Sequence, residues 1–129
     1  MTTLADKLQL KPAHTAGRIV ALPEGAAGLF DDWPTDLLTS SAAQLDFILA
    51  FVSSAQQIQD LAASCVGLLK PDGLLWFAYP KGSSGVAADI NRDRGWEPLT
   101  ALGFRPVRQV SLDGTWSALR FREARRVKG

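Results

Sequence analysis

The sequence predicts an α/β fold: a three-layer domain with a mostly parallel sheet, closed by a C-terminal antiparallel hairpin. Three observations carry this expectation. The runs DFILAFV (46–52), apolar after its leading Asp46, and LLWFAY (74–79), apolar throughout, read as strands covered on both faces. Between them Ile58, Leu61, Ala62, Cys65 and Leu69 recur at helical spacing. Near the C-terminus, Asp113-Gly114 is a two-residue hairpin signal. Strands alternating with helices imply right-handed βαβ units with helices on both faces of the sheet.

Thr3 to Gln9 can form a short helix, with Thr2 or Thr3 as N-cap and Lys11-Pro12 ending it. Arg18 to Leu22 is a short apolar run between Gly17 and Pro23, hence a buried strand. Glu24 to Phe30 reads as a tight turn into one or two helical turns. Asp31 to Ser41 reads as loop, with a short strand or turn around Leu37-Leu38. Ser53 or Ser54 caps the long helix, and Pro71-Asp72-Gly73 turns the chain after it. Ile19–Leu22, Asp46–Val52 and Leu74–Tyr79 are therefore expected as adjacent parallel strands.

Pro80 to Ala87 is a glycine and serine loop. Asp89 to Leu102 reads as a helix, irregular around Gly95, with Trp96, Leu99 and Leu102 as its stripe and Gly103 as its stop. Arg105 to Leu112 and Thr115 to Arg122 form the hairpin. In the second strand Thr115, Ser117, Leu119 and Phe121 share one face, and Trp116, Ala118, Arg120 and Arg122 the other. The tail EARRVKG is polar and expected to fray.

The 129 residues make one domain, 1–129, and the composition (47% hydrophobic, 21% charged) is that of a globular chain. The apolar runs fall far short of the ~20 residues that span a bilayer. One cysteine and one histidine exclude an internal disulfide framework and a His/Cys zinc cluster. MTTLADKLQL lacks the apolar centre of a signal peptide. A cytoplasmic protein is expected, with Cys65 a reduced, buried thiol on the helix stripe. Charge is uneven: residues 1–69 carry net −4 and residues 70–129 net +5.

An apolar strand, a helix ending in LLKPDG and a second apolar strand resemble the second half of class I S-adenosylmethionine-dependent methyltransferases. The stretch from Trp76 to Arg122, with its YPK turn and terminal WSALRFR strand, resembles a family of small bacterial proteins of uncharacterised function. The resemblance implies a Rossmann-like domain. A methyltransferase of that class has a glycine-rich first turn with an acidic residue leading into it, and here the corresponding stretch is IVALPEGAAG. Pro23 fixes φ and lacks an N–H where the chain should approach the cofactor. No cofactor is therefore expected, and S-adenosylmethionine is expected not to bind at useful affinity.

Ligands of open α/β sheets sit beyond the carboxyl ends of the strands. Three loops are expected there: Pro23 to Gly28, Ser53 to Ala55 and Pro80 to Asp89. In the last, Lys81, Gly82, Ser83, Ser84 and Gly85 combine a point charge, hydroxyls and free amides, which suits an anion. Asp89 is expected to cap the following helix and Trp96 to support the loop. The leading expectation is a non-catalytic binding module for an anionic small molecule or a protein partner, with no metal, no membrane and oligomerisation open. One alternative is a reduced methyltransferase-like enzyme, or an acid–base catalyst using Asp89 and Asp93, placed on one helical face by i,i+4 spacing. Another is nucleic-acid binding through Arg120, Arg122, Arg125, Arg126 and Lys128, with Trp116 nearby. With a net charge of only +1 and no accompanying motif, nucleic acid is not the expected partner. His14 lacks an orienting partner in its local sequence.

Overall fold

A computed structural model describes residues 3–127. Five strands, β1 (Gly17–Val20), β2 (Leu45–Phe51), β3 (Leu69–Pro80), β4 (Phe104–Ser111) and β5 (Trp116–Glu123), form one sheet in the order β1-β2-β3-β5-β4. β1, β2 and β3 are adjacent and parallel, as the apolar runs predict. β5 runs antiparallel to both β3 and β4, so it alone is reversed and the sheet is mostly parallel.

Period-two alternation divides the core into two layers. Ile48, Ala50, Val52, Leu75, Phe77, Tyr79, Leu119 and Phe121 face α3 (Ala55–Leu68) and α4 (Glu97–Ala101). Phe47, Leu49, Phe51, Trp76, Ala78, Trp116 and Ala118 face the opposite side. That side is covered by α1 (Leu4–Lys7) with its following Leu8, the 3-10 helix Glu24–Phe30, and α2 (Thr35–Leu38) with Leu38. The fully buried Trp76 donates its indole N–H to the Leu8 carbonyl at 3.1 Å, which fixes α1 on the sheet. α1 is closed by a capping box between Thr3 and Asp6. The alternative cap, Thr2, and Lys128 lie outside the described residues. No described helix is long and apolar enough to cross a membrane.

Several expectations are corrected. The connections β1-to-β2 and β2-to-β3 lie on opposite faces although the strands advance in one direction. They therefore have opposite hand, and at most one is the right-handed crossover expected. The handedness rule depends on a helix packing back onto the sheet. Here the segment between β1 and β2 covers its face with a 3-10 helix and the one-turn α2 instead of a long helix, and its end runs beside β1, where Thr39 bridges Arg18 and the Ser40 N–H bonds the Gly17 carbonyl. β1 ends at Val20 rather than Leu22, because Ala21 takes a positive φ of 58°. Pro71-Asp72-Gly73 is not a turn ahead of the strand but a bulge within β3. Leu45 and Phe47 of β2 pair with Leu69 and Leu74, and the residues between them loop out around Asp72 at φ 56°.

The helix expected over Asp89–Leu102 exists only as Glu97–Ala101. Asn91 and Arg94 close a tight turn instead, and Gly95 follows at φ 104°, which no helix contains. The Asp113-Gly114 hairpin is wider than a two-residue turn: β4 ends at Ser111 and β5 begins at Trp116. The Asp113 carboxylate accepts from the N–H groups of Thr115 and Trp116, both at 2.8 Å. This Asx geometry competes with the tighter primed turn. After β5 the chain makes a 3-10 turn over Ala124–Arg126, with Glu123 pairing both Arg125 and Arg126.

Candidate functional site

β3 is the central strand, and the chain leaves its carboxyl end at Pro80. A cleft of about 350 Å³ opens there, lined by Tyr79, Pro80, Lys81, Gly82, Asn91, Arg92, Asp93, Gln109 and Ser117. Three segments build it. The first is the β3 exit: the Lys81 N–H donates to the Thr115 carbonyl at 2.8 Å, and its Nζ reaches Ser111 Oγ at 2.7 Å. The loop is thus tied to the hairpin mouth rather than left free.

The second is the Asn91 turn. The Asp93 N–H bonds Asn91 Oδ1 at 2.9 Å, and the Trp96 indole donates to the Asn91 carbonyl at 2.8 Å. Trp96 is buried against Phe77, Tyr79 and Phe121, with ring centroids 5.2–6.0 Å away. Core aromatics therefore position a surface turn.

The third is the hairpin wall. Gln109 Nε2 donates to Tyr79 Oη at 2.8 Å, with Ser117 beside it. Burial pushes the Tyr79 phenol up, against hydrogen bonds with Ser117 and Gln109 and the Arg92 charge, which pull it down. The net direction is upward, so the phenol stays protonated at neutral pH and can donate.

Of the residues singled out in the sequence, Lys81 and Gly82 line this cleft and Trp96 supports it from behind. Ser83, Ser84 and Gly85 do not line it. They form a short 3-10 turn with Gly82 in which the Ser84 N–H bonds the Lys81 carbonyl and Ser84 Oγ accepts from Val86. Part of the donor set expected to turn toward an anion is thus used within the loop. Asp89 is a cap, but of α3 rather than of a helix of its own: its Oδ1 accepts from the Ala55 N–H at 2.8 Å. With Ser54 Oγ accepting from Gln57, two of the amides at the start of α3 are already engaged.

Asp89 and Asp93 share no helical face, because no helix runs between them, so the paired-carboxylate reading fails. Arg92 pairs weakly with Asp93 at 3.4 Å, not with Asp89. Asp89→Ala should cost about 1 kcal/mol in urea denaturation, the usual worth of a lost cap, while Asp93→Ala should be near neutral.

Sequence reading missed Tyr79, Asn91, Gln109 and Ser117. Tyr79 looks like one more core residue, Gln109 and Ser117 become site residues only through pairing across β3, β5 and β4, and Asn91 only through the turn it closes with Arg94. A larger hollow of about 690 Å³ lies elsewhere, between α1, residues 10–15 and the segment around Trp33. Its residues 10–15 lead into the amino end of β1, so it lies away from the carboxyl ends of the strands. There the His14 ring is oriented after all, its Nδ1 accepting from the Lys11 N–H at 2.9 Å. Cys65 lies on the buried stripe of α3, where burial pushes its thiol up to about 11, so it is protonated at neutral pH. Among the described residues, no three His, Cys, Asp or Glu side chains gather as a metal site.

No protein-family profile matches the chain, and no curated protein matches it in sequence. Solved structures do resemble it. One is a ribosomal protein L11 methylase from Lactobacillus delbrueckii subsp. bulgaricus, at 17% identity over 75% of this chain and 48% of that one, TM-score 0.48. A second is the fibrillarin pre-rRNA processing protein of Methanococcus jannaschii, at 19% identity over 81% and 54%, TM-score 0.47. A third is the N-methyltransferase NodS from Bradyrhizobium japonicum WM9 in complex with S-adenosyl-L-homocysteine, at 19% identity over 81% and 64%, TM-score 0.49. The chain spans about half to just under two thirds of the length of these proteins. At such identities no activity passes from them to this chain, and its three-layer α/β class rests on its own sheet and helices.

Proposed function

We propose that the protein binds a small anionic molecule, of the carboxylate or phosphate class, in the cleft at the carboxyl end of β3. One observation carries the reading: Lys81, Arg92, Tyr79 and Gln109 line a single cleft beyond the central strand, two cations against one carboxylate, Asp93, which pairs with Arg92 only at 3.4 Å. Strand carboxyl ends are where open α/β sheets place their ligands. Lys81 is held near the hairpin by an uncharged hydroxyl, a partner that a bound anion would replace. The volume suits a ligand of metabolite size rather than a large cofactor.

Lys81→Ala tests this, with Lys70→Ala as control. Lys70 sits at the amino end of the same strand, paired with Asp46 at 3.0 Å. The probes are inorganic phosphate, citrate and ribose 5-phosphate, followed by thermal shift and calorimetry. At ten times the dissociation constant a ligand adds about 1.4 kcal/mol of stability. Lys81→Ala should weaken binding about 10-fold or more, the worth of one charged hydrogen bond, and Lys70→Ala less than twofold. Equal losses would overturn the proposal, and so would binding of S-adenosylmethionine in preference to all three anions.

A further inference from the structure

A second feature lies on the other side of the sheet, away from that cleft. β4 and β5 pair Arg105 with Arg122 and Arg108 with Arg120. These are two successive like-charge pairs, directly opposite each other on one face. Like charges in that position repel. The alignment depends on a bulge. Residues 105 and 108 have opposite parity and would point to opposite faces of a regular strand. The register shifts between Pro106 and Arg108, and the extra residue turns Arg108 onto the face of Arg105.

The charges on this face are poorly compensated. Asp72, in the β3 bulge, takes Arg122 in a two-pronged pair at 2.7 and 2.9 Å. Arg120 donates only to the neutral Gln9 side chain, and its Nε is buried without a partner. Neither Arg105 nor Arg108 has an ion pair among the described residues. Arg126 lies close enough for its charge to act on Asp72 as well. The strand edge and this end of the face are open, since Arg105, Val107 and Arg108 are exposed.

From this alignment we infer that the β4–β5 face binds the phosphate backbone of a nucleic-acid duplex, independently of base sequence. Guanidinium groups on one face of a strand recur every ~6.7 Å, a spacing that can meet successive phosphates. A protein partner would need a dry apolar centre, and the centre of this face is the guanidinium row itself. Single-stranded recognition would need exposed aromatic rings for base stacking, and no aromatic side chain is exposed among the described residues. Contacts of the phosphate type hold a duplex without reading it.

The test is fluorescence anisotropy of a labelled 24-base-pair duplex, as DNA and as RNA, with the intact protein from 25 to 200 mM NaCl. Binding is expected with a dissociation constant on the order of 10 μM at low salt, weakening steeply as salt rises. Arg105→Gln with Arg108→Gln should weaken it at least 10-fold and flatten the log–log salt slope by about two, one phosphate contact per arginine. Replacing both with lysine should retain most of the binding, because a phosphate reads point charge. Arg94→Gln, on the distant Asn91 turn, should change it less than twofold.

Circular dichroism must show each variant folded. If the glutamine pair does not fold, the lysine pair and the single Arg108→Gln variant decide. Absence of duplex binding at 100 μM protein and 25 mM NaCl would overturn the inference. So would unchanged binding by the glutamine variants, or a preference for phosphatidylserine vesicles, polyglutamate or single strands over the duplex.

Discussion

Trp96→Ala should destabilise the protein by about 3–5 kcal/mol, the range for deleting a large buried aromatic side chain. It should also abolish anion binding at the Lys81 cleft in any population that stays folded. The size follows from what the indole touches. It fills the space between Phe77, Tyr79 and Phe121. Its N–H also holds the Asn91 carbonyl. Trp96→Phe separates the two roles. It keeps most of the ring packing and frees that carbonyl, so it should cost about 1–2 kcal/mol. Binding should nevertheless fall, because the turn carrying Arg92 is no longer tied to the core. Urea denaturation and calorimetry with phosphate read the two effects independently. If Trp96→Phe binds like the parent protein, the indole hydrogen bond does not position the site.

What the sequence made legible was whatever depends on burial alone. DFILAFV and LLWFAY had to be strands covered on both faces, and their parallel neighbourhood followed from the helix between them. Lys81 could be placed beyond a central strand for the same reason. What stayed hidden was set by single backbone angles and long-range pairing. Periodicity around Trp96 and Leu99 fits a helix, yet Gly95 stands at φ 104° and the Asn91 side chain closes a turn ahead of it. Asp89 has the composition of a local cap, but the amide it reaches belongs to Ala55, 34 positions away. Gln109 and Tyr79 meet only because β5 inserts between β3 and β4. The Arg105–Arg108 alignment needs a bulge that no alternation pattern announces. The same holds for the face that the segment between β1 and β2 covers with short helices, which decides the hand of a connection that a long helix would otherwise have set.

Gly95→Ala should be the most damaging of the single-methyl additions at the described glycines, at about 2–6 kcal/mol. Two costs combine. At φ 104° a side chain is strained by about 1–3 kcal/mol. A Cβ there would also lie 2.5 Å from Ile90 Cγ2 and 3.2 Å from Ile90 Cβ, a forced overlap of the kind that costs about 1–3 kcal/mol in a packed interior. Ile90 is itself buried, so it cannot swing into solvent to relieve the contact. Gly103 supplies the comparison, since it has a φ of 88° but no atom within 4 Å of an added Cβ. Gly103→Ala therefore carries the backbone cost alone, about 1–2 kcal/mol. The difference between the two variants in urea denaturation isolates the clash with Ile90. Because Gly95 lies between the Asn91 turn and Trp96, the same methyl should displace Arg92 and weaken anion binding, whereas Gly103→Ala should leave it intact. Equal destabilisation by the two alanines would mean that Ile90 yields and that this turn is softer than its packing implies.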